Sequence, residues 1–111
     1  MTAKEYLQQP HLIDRKIKLD IQELETLWAD NKLTACYELV VQIDTEICQL
    51  VEKWLEIEKV INAVPDFDQW EILTRRYLLY QKWELLATEM DINKSYVHRL
   101  HNKALSKISV P

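Results

Sequence analysis

The chain of 111 residues contains no glycine, and this absence constrains its fold more than any other feature of the sequence. Glycine supplies the positive φ angles that tight β-hairpin turns need, so a sheet built from such turns is disfavoured. The sequence therefore predicts an all-α protein. The same absence excludes the glycine-rich loops that hold nucleotide phosphates, including the P-loop and the dinucleotide-binding fingerprint.

A long helix is predicted by an unbroken heptad pattern. From Leu33 to Val64, apolar residues recur at alternating steps of three and four, which is typical of a coiled coil or a long bundle helix. Thr34 is the expected N-cap, and Pro65 should end the helix because the residue before a proline avoids the α region. The residues that we predict for oligomerisation lie along this seam: Val40, Ile43, Ile47, Leu50, Trp54, Ile57 and Ile61.

A second, shorter amphipathic helix precedes the long one and is marked by apolar residues from Ile13 to Trp28. The polar segment ADNKLT joins the two helices, and short connections make antiparallel neighbours, so residues 12 to 64 predict a helical hairpin. The long helix carries further apolar residues beside its seam, namely Val41, Cys48, Val51 and Leu55. Three interpretations stay open: the hairpin packs on its own C-terminal part, pairs with a second subunit, or binds a foreign helical partner.

The second half, residues 66 to 111, predicts a helix-turn-helix after the hairpin unit of residues 1 to 65. In KWELLATEMDINKSYVHRLHNKAL the apolar residues stand where the two helices of such a motif must meet, with the small Ala87 at the crossing and Ile92 in the turn. Asn93 is a favourable N-cap for the second helix. Asp91 occupies the turn position usually held by glycine, and Asp tolerates the left-handed conformation better than most residues.

Charge is distributed unevenly along the chain. Residues 1 to 65 hold 7 basic and 12 acidic side chains, whereas residues 66 to 111 hold 7 basic and 6 acidic side chains. No carboxylate side chain follows Asp91. Because the local field decides phosphate binding, the overall charge of −4 does not exclude DNA as a partner.

We therefore expect the last helix to bind double-stranded DNA, with Arg99 at a guanine edge and Lys103 and Lys107 at phosphates. Arg75 and Arg76, in the preceding helix, are expected to grip the DNA backbone. The full set of predicted DNA contacts is Lys94, Ser95, Tyr96, His98, Arg99, Asn102, Lys103, Lys107, Arg75 and Arg76. The plainer alternative is a basic helix that complements its own macrodipole and stays solvated.

The segment WEILTRRYLLYQKWELLATEM followed by NKSYVHRLHNKAL resembles region four of bacterial sigma factors and the small phage regulators built on it. The shared positions are the arginine–tyrosine pair Arg76 and Tyr77 and the alanine–leucine pair Ala104 and Leu105. With EYLQQPHLIDRKI and the long heptad helix included, almost the whole chain resembles a family of small phage and prophage proteins of Gram-positive bacteria, found close to regulators of late genes. The resemblance implies a sigma-like DNA-binding end, a coiled-coil N-terminal end and a place in the bacterial host's cytoplasm, while Asp91 departs from the usual turn.

Other chemistry is not indicated by the sequence, and we expect neither an enzyme nor a cofactor. His98 and His101 lie three residues apart without a nearby carboxylate or cysteine, so we interpret them as a surface pair that meets solvent or phosphate and not as a metal site. Cys36 and Cys48 lie about 18 Å apart along one helix and are not expected to bridge. We expect all four tryptophans to lie in the core. The absence of a long apolar segment predicts a cytoplasmic protein.

Two functions remain open at this stage. The first is a phage-type transcriptional regulator that binds DNA through residues 83 to 108 and dimerises through the hairpin, with paired half-sites about one helical turn apart or a multiple of it. The second is an interaction protein whose acidic hairpin binds a host or phage protein, for example RNA polymerase or another regulator.

Overall fold

The computed structural model describes residues 1–111 and contains six α-helices and no β-strand. The all-α prediction is confirmed. The helices are α1 (Ala3–Leu7), α2 (Gln9–Ala29), α3 (Leu33–Asn62), α4 (Phe67–Leu73), α5 (Trp83–Met90) and α6 (Lys94–Leu105), and a π-helical turn (Thr74–Leu78) continues α4. None of these helices combines the length and the apolar composition that crossing a membrane requires.

The connection from α2 to α3 needs only three residues. Asn31 adopts the left-handed conformation at φ 56°, and the Lys32 N–H donates to the Leu27 carbonyl at 3.0 Å, so the chain reverses without glycine. Lys32 is the residue that precedes α3, and Thr34 lies inside the helix, so the predicted cap at Thr34 is wrong. At its far end α3 stops at Asn62, three residues before Pro65, as the proline rule predicts.

Helices α2 and α3 pack along each other and run in opposite directions. Leu24 and Cys36 border one cavity near the connecting turn, whereas Lys16 pairs with Glu46 at 3.1 Å farther along both helices. Ile17, Leu39 and Ile43 form the apolar centre of this contact. Glu46 is only 7% exposed, and its burial is offset by the ion pair with Lys16.

The heptad seam predicted for α3 is not buried as a single row. Cys36, Ile43 and Ile61 are buried, whereas Val40 and Ile47 are 49% and 44% exposed. An α-helix has 3.6 residues per turn, so a strict 3.5-residue repeat drifts around a straight helix. Some residues of the repeat, such as Val40 and Ile47, therefore do not contact α2 and form an apolar row at the surface.

The main core lies at the end of the molecule where the last turns of α3 pack with α1, α4, the π-helical turn, α5 and α6. Fourteen buried residues form it, and they come from both of the units predicted at residues 1 to 65 and 66 to 111. Tyr6 and Leu7 of α1 and Ile57 and Ile61 of α3 pack with residues of the C-terminal unit. The C-terminal members are Ile72, Leu73, Tyr77, Leu78, Leu86, Ala87, Val97, Leu100 and Ala104.

Polar and aromatic contacts add to this junction between α2–α3 and the C-terminal helices. The Trp54 indole N–H donates to the Leu78 carbonyl at 3.3 Å, and the Trp70 indole N–H donates to Asn62 Oδ1 at 2.8 Å. The rings of His11 and Tyr80 stack with centroids 4.5 Å apart. Tyr80 has φ 57°, which is an unusual and strained angle for a bulky residue. The stacked ring of His11 therefore packs on a strained segment between the π-helical turn and α5.

The prediction that all four tryptophans lie in the core is wrong for Trp28. Trp54, Trp70 and Trp83 are partly buried and pack against the main core. Trp28 lies at the end of α2, far from that core, and 70% of its surface is exposed. The α2–α3 contact is only two helices wide, so a side chain at its tip has no third element to cover it.

Candidate nucleic-acid interface

Helix α6 is held against the rest of the chain by its apolar face. Val97, Leu100 and Ala104 are 1%, 6% and 0% exposed, and they recur at steps of three and four. At the start of the helix, Asn93 Oδ1 accepts the Tyr96 N–H at 2.8 Å, which confirms Asn93 as the N-cap. The opposite face of α6 is thereby fixed toward solvent.

The turn between α5 and α6 has the geometry expected for its position. Asp91 takes φ 55° and ψ 48°, so the predicted left-handed residue is confirmed. The Asp91 N–H donates to the Thr88 carbonyl at 3.2 Å and the Ile92 N–H to the Ala87 carbonyl at 3.1 Å, which satisfies the last carbonyls of α5. Ile92 is half-buried against the main core.

All eight residues of the 94 to 107 segment that we predicted as DNA contacts are exposed. They are Lys94, Ser95, Tyr96, His98, Arg99, Asn102, Lys103 and Lys107. Arg99 forms no ion pair, and its guanidinium lies 5.7 Å from the Tyr96 ring centroid. Lys94 lies 3.9 Å from Glu84, and both side chains are mostly exposed, so solvent screens this pair strongly.

A groove of about 620 Å³ runs beside the second half of this surface. Arg99 and Lys103 of α6 line one side of it, and Asp66 and Asp68, at the start of α4, line the other. Asp66 also caps α4, because its Oδ1 accepts the Gln69 N–H at 2.9 Å. The sequence pattern indicated this capping role but not the position of the two carboxylates opposite α6, which depends on how α4 packs.

Arg75 and Arg76, which we predicted as contacts to the DNA backbone, both have partners within the chain. Arg75 Nε donates to Glu71 at 2.8 Å, and its terminal nitrogen pairs with Glu89. Arg76 donates to the Gln81 carbonyl at 2.9 Å, and its guanidinium lies 4.3 Å above the Trp83 ring. Both side chains hold the π-helical turn to α5, and their predicted contact with the DNA backbone stays a prediction.

His101 is buried, so the prediction of a surface histidine pair fails at this residue. It is 6% exposed, and its Nε2 lies 2.6 Å from the Tyr77 hydroxyl. Burial lowers the pKa of His101 to about 4 and raises the pKa of Tyr77 to about 12. His101 is therefore neutral near pH 7 and shares a hydrogen bond with the Tyr77 hydroxyl group, while His98 remains exposed at the surface.

The residues predicted for oligomerisation divide by their burial. Val40 and Ile47 are exposed, Leu50 and Trp54 are half-buried, and Ile43 is buried against α2. Ile57 and Ile61 have no exposed surface at all. These last two residues join α3 to the C-terminal helices and cannot touch a second copy, which corrects their predicted role.

Comparison of the chain with protein-family models, with curated proteins and with solved structures finds no match. No group of three or more His, Cys, Asp or Glu side chains is arranged to hold a metal ion.

Proposed function

We propose that the protein is a DNA-binding transcriptional regulator in which α5 and α6 form a helix-turn-helix and α6 enters the major groove. The observation that carries the proposal is the exposed face of α6, which presents basic and polar side chains and no carboxylate. Seven exposed side chains of α6, together with Lys107 just after the helix, include the donors that contact phosphates and guanine edges. Asn93 and the three apolar anchors fix the orientation of this face.

Within this proposal the exposed side chains divide by position. Arg99 lies on the exposed face of α6 without an internal ion pair, so it is the residue we assign to base recognition. Lys103 and Lys107 follow it toward the end of the chain and suit phosphates. Asp66 and Asp68 lie across the groove from Arg99 and Lys103 and weaken the local attraction for phosphate, which favours selective over indiscriminate binding.

The resemblance of residues 70 to 105 to region four of sigma factors supports a role in transcription, and the wider resemblance supports a phage or prophage setting. We propose that the α2–α3 pair, a helical hairpin, serves for dimerisation. A two-fold dimer pairs two DNA half-sites separated by about one helical turn or a multiple of it.

A second candidate function is favoured by one observation on α3. This helix exposes an apolar row, and its charged residues include Glu38, Asp44 and Glu52 at the surface. A basic amphipathic helix of another protein, for example RNA polymerase or another regulator, would suit such a face. In that case the C-terminal helices serve as a scaffold or a secondary contact.

Charge reversal separates the two functions. We expect the triple variant Lys94→Glu, Arg99→Glu, Lys103→Glu to lose binding to a mixed pool of duplex DNA measured by fluorescence anisotropy. The matched control reverses three exposed cations outside α6, namely Arg15, Lys32 and Lys59, and changes the net charge by the same amount. The proposal fails if both triple variants lose binding equally, because net charge alone would then explain the affinity.

A further inference from the structure

The exposed apolar residues of α3 are arranged symmetrically about Asp44. Leu33 and Leu55 lie eleven residues from it on either side, and Tyr37 and Val51 lie seven. Val40 and Cys48 lie four residues from Asp44, and Val41 and Ile47 lie three. All eight are exposed. We call this set the α3 stripe.

This symmetry is the pattern that an antiparallel pair of identical helices requires. When two copies of one helix cross antiparallel with a two-fold axis at residue 44, each residue faces the one equally far beyond the axis on the other copy. Every residue of the α3 stripe then faces another apolar residue of the stripe. Neither a parallel pair nor a foreign partner requires symmetry of this kind.

We infer that a second copy of this chain covers the α3 stripe, in an antiparallel pair of α3 helices centred on Asp44. The stripe spans residues 33 to 55, which is roughly 33 Å along the helix. It continues onto α2 at Trp28, which shares an apolar cavity of about 420 Å³ with Leu33, Tyr37 and Val40. A stable interface buries about 800 Å² on each partner, and a monomer seldom exposes a contiguous apolar patch larger than about 600 Å².

Asp44 lies at the axis of this pair, and the apolar residues of the α3 stripe lie on either side of it. Any other register places Asp44 against an apolar side chain of the partner, which leaves a carboxylate desolvated without a counter-charge. At the axis, the two Asp44 carboxylates meet each other. Lys18 of α2 lies at the level of Asp44, since Lys16 pairs with Glu46, but its ammonium group is already paired with Asp14 at 3.0 Å.

The antiparallel pair specifies how the proposed regulator dimerises, and it rests on the proposed function only for the placement of the two α6 helices on DNA. In the antiparallel pair the C-terminal units lie at opposite ends of the dimer. Ile57 and Ile61, which hold each C-terminal unit, lie about 20 to 26 Å from the axis along α3. The two half-sites on DNA are therefore separated by more than one helical turn.

Sedimentation equilibrium of the full chain without DNA tests the pairing. We expect a dimer at micromolar concentration, and we expect Ile47→Glu to raise its dissociation constant by about tenfold or more, since the substitution places a charge on the partner's Val41. Val51→Glu is the second variant of this kind. The matched control is Leu19→Glu, an apolar-to-acidic change at a residue that is 64% exposed. Leu12 lines a groove with Thr45 and Gln49, on the side of the α2–α3 pair opposite the α3 stripe. Leu19 lies two helical turns after Leu12 on the same face of α2, so it is outside the proposed interface.

Disulfide trapping tests the direction of the pair. Val40→Cys places a thiol opposite the native Cys48 of the other copy, so the variant should form a covalent dimer under mild oxidation. The double variant Val40→Cys, Cys48→Ser should not. In a parallel pair the wild type would cross-link through its own Cys48, and the double variant would still cross-link through residue 40.

The results of these pairing experiments can be distinguished from a failure of the proposed DNA binding. A monomer at 100 μM, or a dimer that Ile47→Glu and Val51→Glu leave intact while circular dichroism shows native helix content, overturns the inference whatever the protein does with DNA. Cross-linking of the wild type through Cys48 overturns the antiparallel arrangement. Loss of DNA binding by a variant that remains dimeric bears only on the proposed function.

Discussion

Arg99 and His101 lie two residues apart on α6, yet the packing of the chain gives them opposite chemistry. Arg99 is exposed and its charge is available to a ligand, whereas His101 is buried beneath Tyr77 and Trp83 and is neutral near pH 7. The sequence predicted the exposed charge of Arg99 because its neighbours Val97 and Leu100 mark the buried face. It did not predict the burial of His101, because a polar residue enters a core only where a partner such as Tyr77 is supplied by another element.

The neutral His101 makes folding stability depend on pH. Burial lowers the pKa of His101 from its ordinary value of 6.5 to about 4, so between these values the unfolded chain binds a proton that the folded chain does not. The stabilisation is fully present above pH 6.5 and is lost as the pH falls toward 4. We expect the free energy of unfolding, measured with urea, to be about 2 kcal/mol lower at pH 4 than at pH 7 because of His101, allowing for solvent screening.

His101→Gln provides the comparison, since the glutamine amide can form a hydrogen bond with the Tyr77 hydroxyl group and does not titrate. Carboxylates with lowered pKa values, such as those of Asp20 and Glu56, also lose stabilisation in acid, but they are common to both proteins. The pH dependence of the variant should therefore be smaller than that of the wild type. Equal pH dependence of the two proteins would contradict a neutral, buried His101.

At the scale of single elements, local rules predicted turns and caps better than they predicted helix faces. Asn93 caps α6 and Asp91 takes the left-handed conformation, as the residues themselves indicated. The contacts of Arg75 and Arg76 with Glu89, Gln81 and Trp83 were not predictable, since these residues reach them only after α5 packs against the π-helical turn. The drift of the heptad repeat around α3 likewise depends on the path of α2.

The α5–α6 turn carries a stability cost that can be measured. Asp91 is held at φ 55° and its side chain makes no hydrogen bond that would offset this angle. Asp91→Gly should therefore stabilise the protein by about 0.5 to 1 kcal/mol, or a few degrees in Tm, while Asp91→Ala should not stabilise it. Thermal unfolding of the three proteins at pH 7 checks this. A lower Tm for the glycine variant would mean that Asp91 makes a stabilising contribution that its geometry does not reveal.

For the whole molecule, the main core crosses the boundary at Pro65 that the sequence suggested. Leu7, Ile57 and Ile61 have no exposed surface, and all three pack against residues that follow Pro65. Periodicity indicated the α2 and α3 helices and those of the second half but not the short α1 or the π-helical turn, and it contains no information about which helices share a core. The C-terminal helices are therefore positioned by the long α3 as well as by each other.

A fragment of residues 66 to 111 should accordingly fail to fold alone. It would lose the burial supplied by α1 and by Ile57, Ile61 and Val64, and a chain of this length has little core to spare. We expect low helix content and no cooperative thermal transition by circular dichroism, in contrast to the full chain. A cooperative transition of the isolated fragment would show that the C-terminal helices form an independent domain.

The central claim, that α6 reads DNA, is tested most directly by selecting bound fragments from the genome that encodes the protein. Wild type and Arg99→Ala are compared in parallel at near-physiological salt, where non-specific phosphate contacts are weakened. We predict that the wild type enriches one sequence, and that Arg99→Ala loses about 1 to 3 kcal/mol of discrimination at one base position. If neither protein enriches a sequence and binding disappears with added salt, α6 has only a general attraction for phosphate, and the claim is contradicted.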